Sequence, residues 1–341
     1  MIMGKLISSK KKHYMVNKEL RKYLKHNGRL VSFDLDYYEL LRYTNSVPLK
    51  DAEGKFTCWL SVCYKSWEQR EINESLLEIY ALLKANGDCT LLNHLEVDRI
   101  DLCLFGNSQP FRIRIINTLN DNYDYFYIKK ADASRIYGLE LEHILSPNRI
   151  GFFLNQDTLV VEHIYGIPGD IFIENFMDKR LNEVRLAKEF VKFNERCFLR
   201  LLGDMHASNF VVDISMDVED CNYRIRAIDF DQQSYEGRMK VYLPQFYLEN
   251  NPIVNVGLKN LNHQTARQYQ IEERMLIVKR IKSSRQRLQK LLQIMEKDLI
   301  APLEHVFQIR SELSDHYQNN LFSRCTTMGQ LVKTSLESIA H

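Results

Sequence analysis

Long apolar runs are missing from this 341-residue sequence, and no uncharged stretch is long enough to span a bilayer. The opening MIMGKLISSKKKHYMV has too short an apolar part for a cleavable signal peptide. Glycine and proline are scarce at 13 and 7 residues, which argues against collagenous, repeat-rich or disordered architectures. Charge of one sign is also missing: 46 Lys and Arg face 44 Asp and Glu, so the balance favours neither nucleic acid nor membrane as partner. The seven cysteines are scattered and odd in number, and no C-x-x-C pair occurs. A zinc site and a disulfide framework are therefore disfavoured, and reduced thiols in a cytoplasmic protein are expected.

What is present is an ordinary globular balance, 45% hydrophobic and 26% charged, with enough chain for two domains or one large two-lobed domain. Residues 5–13 form a basic arm that reads as a solvated tail. Residues 73–86 (NESLLEIYALLKAN) place Leu76, Leu77, Tyr80, Leu82 and Leu83 at helical spacing, and nothing else in the first 95 residues carries evident chemistry. From about Ile100 the pattern changes. IDLCLF, FRIRIINTL and YFYIKK read as strands, Ala133–Leu145 as a helix ending before Pro147, and residues 150–154 and 158–164 as a hairpin around Asn155-Gln156-Asp157. An antiparallel sheet with that one helix against it is the compact solution. After Gly166-Ile167-Pro168-Gly169 the sequence turns helical, interrupted by the strands NFVVDI and YRIRAIDF. One long amphipathic helix is expected over 264–300, its basic side in solvent.

The chemistry concentrates in LGDMHASNFVVDI and YRIRAIDFDQQ. Asp204 and Asn209 stand five apart in a loop before one apolar strand, and Asp229 closes the next. A hairpin of those strands would bring Asn209 and Asp229 to one end, with Asp204 just outside. Two carboxylates and an amide oxygen are hard ligands suited to magnesium, which takes its other oxygens from water and phosphates. Phosphoryl transfer asks for such charge neutralisation and for a carboxylate to orient the attacking hydroxyl.

GDMHASNF followed by IDFD resembles the catalytic loop and metal segment of the protein-kinase-like superfamily, most nearly the aminoglycoside phosphotransferase and choline kinase branch. The resemblance covers roughly residues 100–246. It implies an α+β, two-lobed protein-kinase-like fold: an N-terminal extension over 1–95, an antiparallel-sheet N-lobe with one helix over 96–164, and a mainly helical C-lobe over 165–341. It implies Asp204 as catalytic base, His206 as the loop histidine, and Asn209 and Asp229 as magnesium ligands, with Asp231 binding a second metal or bracing the loop. YIKK resembles the lysine strand, making Lys129 the contact to the α- and β-phosphates, with Glu140, or else Glu142, as its partner. LVVEHI resembles the hinge, so backbone groups of Glu162, His163 and Ile164 would meet the adenine edge of ATP between the lobes. Gly106 is the single glycine of the phosphate-covering loop, and Leu202 stands where the family carries histidine.

The implied activity is ATP- and Mg2+-dependent transfer of the γ-phosphate to a hydroxyl, on a small molecule in preference to a protein, since no D-F-G or A-P-E follows. Two alternatives keep the fold: a pseudokinase-type binding module, and transfer of AMP in place of phosphate.

Overall fold

A computed structural model describes residues 11–51, 53–85, 87–104, 108–177, 182–216 and 221–339. The fold is α+β and divides into two compact units, one built on an antiparallel sheet and one mainly helical. These are the two kinds of part that the sequence motifs imply, although the boundaries differ.

The sheet unit comprises Met15–Asp132 and Ile150–His163. It holds α1 (Lys18–His26), α2 (Tyr37–Leu40), β1 (Asn45–Lys50), β2 (Phe56–Cys63), α3 (Ser66–Ala85), β3 (Leu95–Cys103), β4 (Phe111–Asn117), β5 (Tyr123–Lys130), β6 (Phe152–Asn155) and β7 (Thr158–Glu162). The sheet order is β1-β2-β3-β4-β5-β7-β6, with every neighbouring pair antiparallel. Strand alternation sets its apolar face: Ile113 and Ile115 on β4 and Phe126 and Ile128 on β5 are almost fully buried. Ile72, Leu76 and Ile79 of α3, one helical stripe, join these residues in a single core cluster. Each such side chain contributes about 1.5–3 kcal/mol on burial. The first 95 residues are therefore no appendage, because they supply two strands and the helix that covers the sheet.

The helical unit comprises the described residues of Met1–Tyr14, Ala133–Arg149 and Ile164–His341. It contains α4 (Ala133–Leu145), a three-stranded sheet of β8 (Ile167–Pro168), β9 (Phe210–Met216) and β10 (Cys221–Ala227), and α5 (Gly169–Phe176), α6 (Glu183–Leu199), α7 (Asn251–Asn260), α8 (His263–Ser283), α9 (Arg285–Met295), α10 (Leu303–Tyr317) and α11 (Met328–Ser338). The helix expected over Ala133–Leu145 forms with those bounds but belongs to this unit, since its charged side chains pair here: Glu140 with Arg287, Glu142 with Arg200, Arg135 with Asp231. The helix expected over 264–300 breaks at Ser284, whose φ and ψ of −117° and 26° interrupt the helical path between α8 and α9. Among the described residues no helix is long and apolar enough to cross a membrane.

Candidate active site

The site begins where α6 ends. Leu201 takes φ +55° and reverses the chain, and residues 201–203 then run beside 232–234. Leu202 bridges Gln233 antiparallel, the Gly203 N–H donates to the Gln232 carbonyl, and the Ser234 N–H donates to Leu201 at 2.7 Å. Gly203 is required at that crossing, where a Cβ would stand 2.9 Å from Val241 and 3.2 Å from the Gln232 carbonyl. This pairing fixes Asp204 beside the loop that carries Asp229 and Asp231.

Asp204 itself takes φ +62°, a left-handed conformation that an L-residue adopts only when its surroundings hold it. Its N–H donates to the Tyr247 hydroxyl at 2.9 Å, and its carbonyl accepts the Asn209 Nδ2–H at 2.7 Å. The same Nδ2 lies 3.2 Å from His206 Nε2, while Ser208 Oγ lies 3.1 Å from His206 Nδ1. With Nδ2 committed to the loop, Asn209 Oδ1 makes no hydrogen bond among the described residues.

The expected hairpin forms. β9 and β10 pair with Phe210 opposite Ala227, and the Ile228 N–H donates to the Asn209 carbonyl at 3.0 Å. Asn209 and the Ile228–Asp229 step thus share one end of the hairpin, and the Asp231 N–H donates to Asp229 Oδ1 at 3.2 Å.

The electrostatics of this end are one-sided. Burial, then the negative charges of Asp229, Asp231, Glu236 and Glu249, push the Asp204 carboxyl up from 3.8 to about 8. Burial lowers the His206 pKa, opposed by Glu249, Asp229 and Asp170. Among the described residues no group of three or more His, Cys, Asp and Glu side chains is disposed to hold a metal. Asn209 Oδ1 and Asp229 supply hard oxygen donors of the kind a magnesium ion completed by phosphates and water would take. It would also find an excess of negative charge.

The remaining expected residues fall as follows. Asp231 is buried and its carboxylate is engaged by Arg135 of α4. Glu140 is fully buried and accepts from Nε and Nη2 of Arg287 on α9, at 2.7 to 3.0 Å. Glu142 meets Arg200. Lys129 lies on β5 of the sheet unit opposite Leu159, on the half-buried face it shares with Tyr125 and Tyr127. The Glu162 N–H is already given to the Gly151 carbonyl at 2.9 Å, and its carboxylate accepts the Gly151 N–H at 2.6 Å. His163 Nδ1 lies 3.2 Å from the Tyr127 hydroxyl. Gly106 lies outside the described residues.

Sequence reasoning did not single out Arg135, Tyr247 or Asn250. No local motif marks them, because their partners lie about 40 to 100 positions away.

No protein-family model matches the sequence, and no curated protein matches it. Among solved structures the chain is similar to the kinase domain of PknI from Mycobacterium tuberculosis in two double-mutant forms, at 11% and 12% identity. Those alignments cover 73% of this chain and 96% and 97% of the other, both with a TM-score of 0.26. So loose a likeness carries no residue correspondences, and the functional reading rests on the site's own geometry.

Proposed function

We propose that this chain is an ATP-dependent phosphotransferase that moves the γ-phosphate to a hydroxyl, with a small hydroxylated molecule as acceptor. The observation that carries the proposal is the convergence of Asp204, Asn209 and Asp229 at one end of the β9–β10 hairpin, with a carboxyl held near neutrality. Asp204 is the group that orients and deprotonates the acceptor hydroxyl. Asn209 Oδ1 and Asp229 are the magnesium ligands, and Asp231, bound by Arg135, holds Asp229 in place through its own N–H. Magnesium, when bound, supplies charge neutralisation at the phosphates and lowers the Asp204 pKa toward the range where it acts as a base. His206 sets the loop through Asn209 and Ser208 and makes no proton transfer in this scheme.

The test uses the full chain with ATP labelled on the α- or the γ-phosphate, Mg2+, and a panel of sugars, amino sugars, amino alcohols and nucleosides. Transfer of the γ-label supports the proposal, and transfer of the α-label identifies AMP transfer instead. Mg-ATP binding without transfer to any acceptor or to water marks a nucleotide-binding module and overturns it.

A further inference from the structure

The segment after the acidic loop was assigned no role by sequence, yet it grips the loop that carries Asp204. It runs through three 3-10 turns, Met239–Tyr242, Pro244–Phe246 and Leu248–Asn250. Tyr247 is 5% exposed, and its hydroxyl uses both of its hydrogen-bonding functions: it donates to the Val241 carbonyl at 2.9 Å and accepts the Asp204 N–H at 2.9 Å. Asn250 is fully buried, and its Nδ2 donates to the Met205 carbonyl at 2.9 Å and to Pro244 at 2.7 Å. Two side chains of one segment thus hold the backbone at consecutive residues, 204 and 205.

That grip meets a need. Asp204 sits at φ +62°, and a non-glycine residue so placed costs on the order of 1–3 kcal/mol unless the surroundings enforce it. Leu202, two residues earlier, is fully buried, and its side chain has no polar atom with which to fix the loop. We propose that Tyr247 and Asn250 are positioning residues for Asp204, supplying from the 241–250 segment the polar anchorage that position 202 lacks. The inference rests on the reading of Asp204 as the base. An error of about 1 Å in such a group costs on the order of 100-fold in rate, so loss of one anchor should be visible in turnover.

The experiment uses the full chain, Mg-ATP with water as acceptor, and release of inorganic phosphate. Tyr247→Phe keeps the ring and removes the hydroxyl. It is expected to lower kcat about 10- to 100-fold, to leave KM for Mg-ATP within about 2-fold, and to speed hydrogen exchange at the Asp204 amide at least tenfold. Asn250→Ser serves as the second variant, with the same kcat-against-KM split expected should Tyr247→Phe fold poorly. An unchanged kcat in a folded variant overturns the inference, as does an equal loss of nucleotide binding and turnover, which marks a merely structural role. Asp204→Ala is run alongside: wild-type turnover in that variant defeats the underlying reading itself, whatever Tyr247→Phe shows.

Discussion

The Arg135 guanidinium of α4 and the Asp231 carboxylate form an ion pair in which both side chains are more than nine-tenths buried. The Asp231 N–H in turn donates to Asp229 Oδ1, so α4 reaches the proposed metal ligand through one intermediary. Removing one partner of a buried pair strands the other's charge, at a cost of about 3–5 kcal/mol. Arg135→Met should therefore lower unfolding stability by that amount in urea titrations. Adding Asp231→Asn should recover part of the loss. An Arg135→Met chain as stable as the parent contradicts this account of the loop.

Glu140 and Arg287 make a second prediction. The carboxylate is fully buried and doubly bonded, while the guanidinium is 26% exposed. Arg287→Met removes the guanidinium that meets both oxygens of this buried carboxylate, and a destabilisation of about 3 kcal/mol is expected. Parent-level stability in Arg287→Met, measured by urea titration, would contradict that account.

The Asp204 carboxyl provides a pH signature. Its folded-state pKa of about 8 lies above its ordinary 3.8, so the folded chain holds the proton more tightly than the unfolded one. The associated stability is full below about pH 4 and is lost as pH rises through about 8. Without nucleotide or metal, the parent should lose thermal stability between those limits relative to Asp204→Asn. Asp229→Asn, which removes the largest of the neighbouring charges, should lower the Asp204 titration midpoint seen by carboxyl NMR. A parent whose stability relative to Asp204→Asn rises across that window contradicts the assignment.

Gly169 provides a steric test. A Cβ there would stand 2.5 Å from the Ala207 carbonyl and would strike the Phe210 ring, in the loop that carries Asp204 and Asn209 and the strand it enters. Gly169→Ala should cost about 1–3 kcal/mol of stability and reduce turnover, because the backbone of residues 207–210 must move to admit the methyl. Unaltered melting and turnover would show that the loop yields without consequence.

Much of the hairpin end was legible in the sequence because its determinants are local. The five-residue interval from Asp204 to Asn209 and the two apolar strands carry their own register, and they join as the alternation requires. The bounds of α4 were equally legible, from the helical pattern that stops before Pro147. Its allegiance was not. Glu140 and Glu142 are matched to lysine or arginine equally well by sequence, and only tertiary packing selects Arg287 and Arg200. The role of the first 95 residues was missed for a related reason. β1 is a short strand, mostly exposed and interrupted by Pro48, as suits a sheet edge, and its pairing with β2 leaves little trace in hydrophobic periodicity. The break at Ser284 went unseen because no glycine or proline marks it.

The central claim is a division of labour between two carboxylates one hairpin apart. Mg-ATP binding by calorimetry and phosphate transfer by γ-label, measured on Asp229→Ala and Asp204→Ala, test it most directly. The account predicts that Asp229→Ala loses magnesium-dependent nucleotide binding, and that Asp204→Ala binds Mg-ATP as the parent does while turnover falls by at least about 100-fold. Parent-level turnover in Asp204→Ala, or undiminished magnesium-dependent binding in Asp229→Ala, contradicts it.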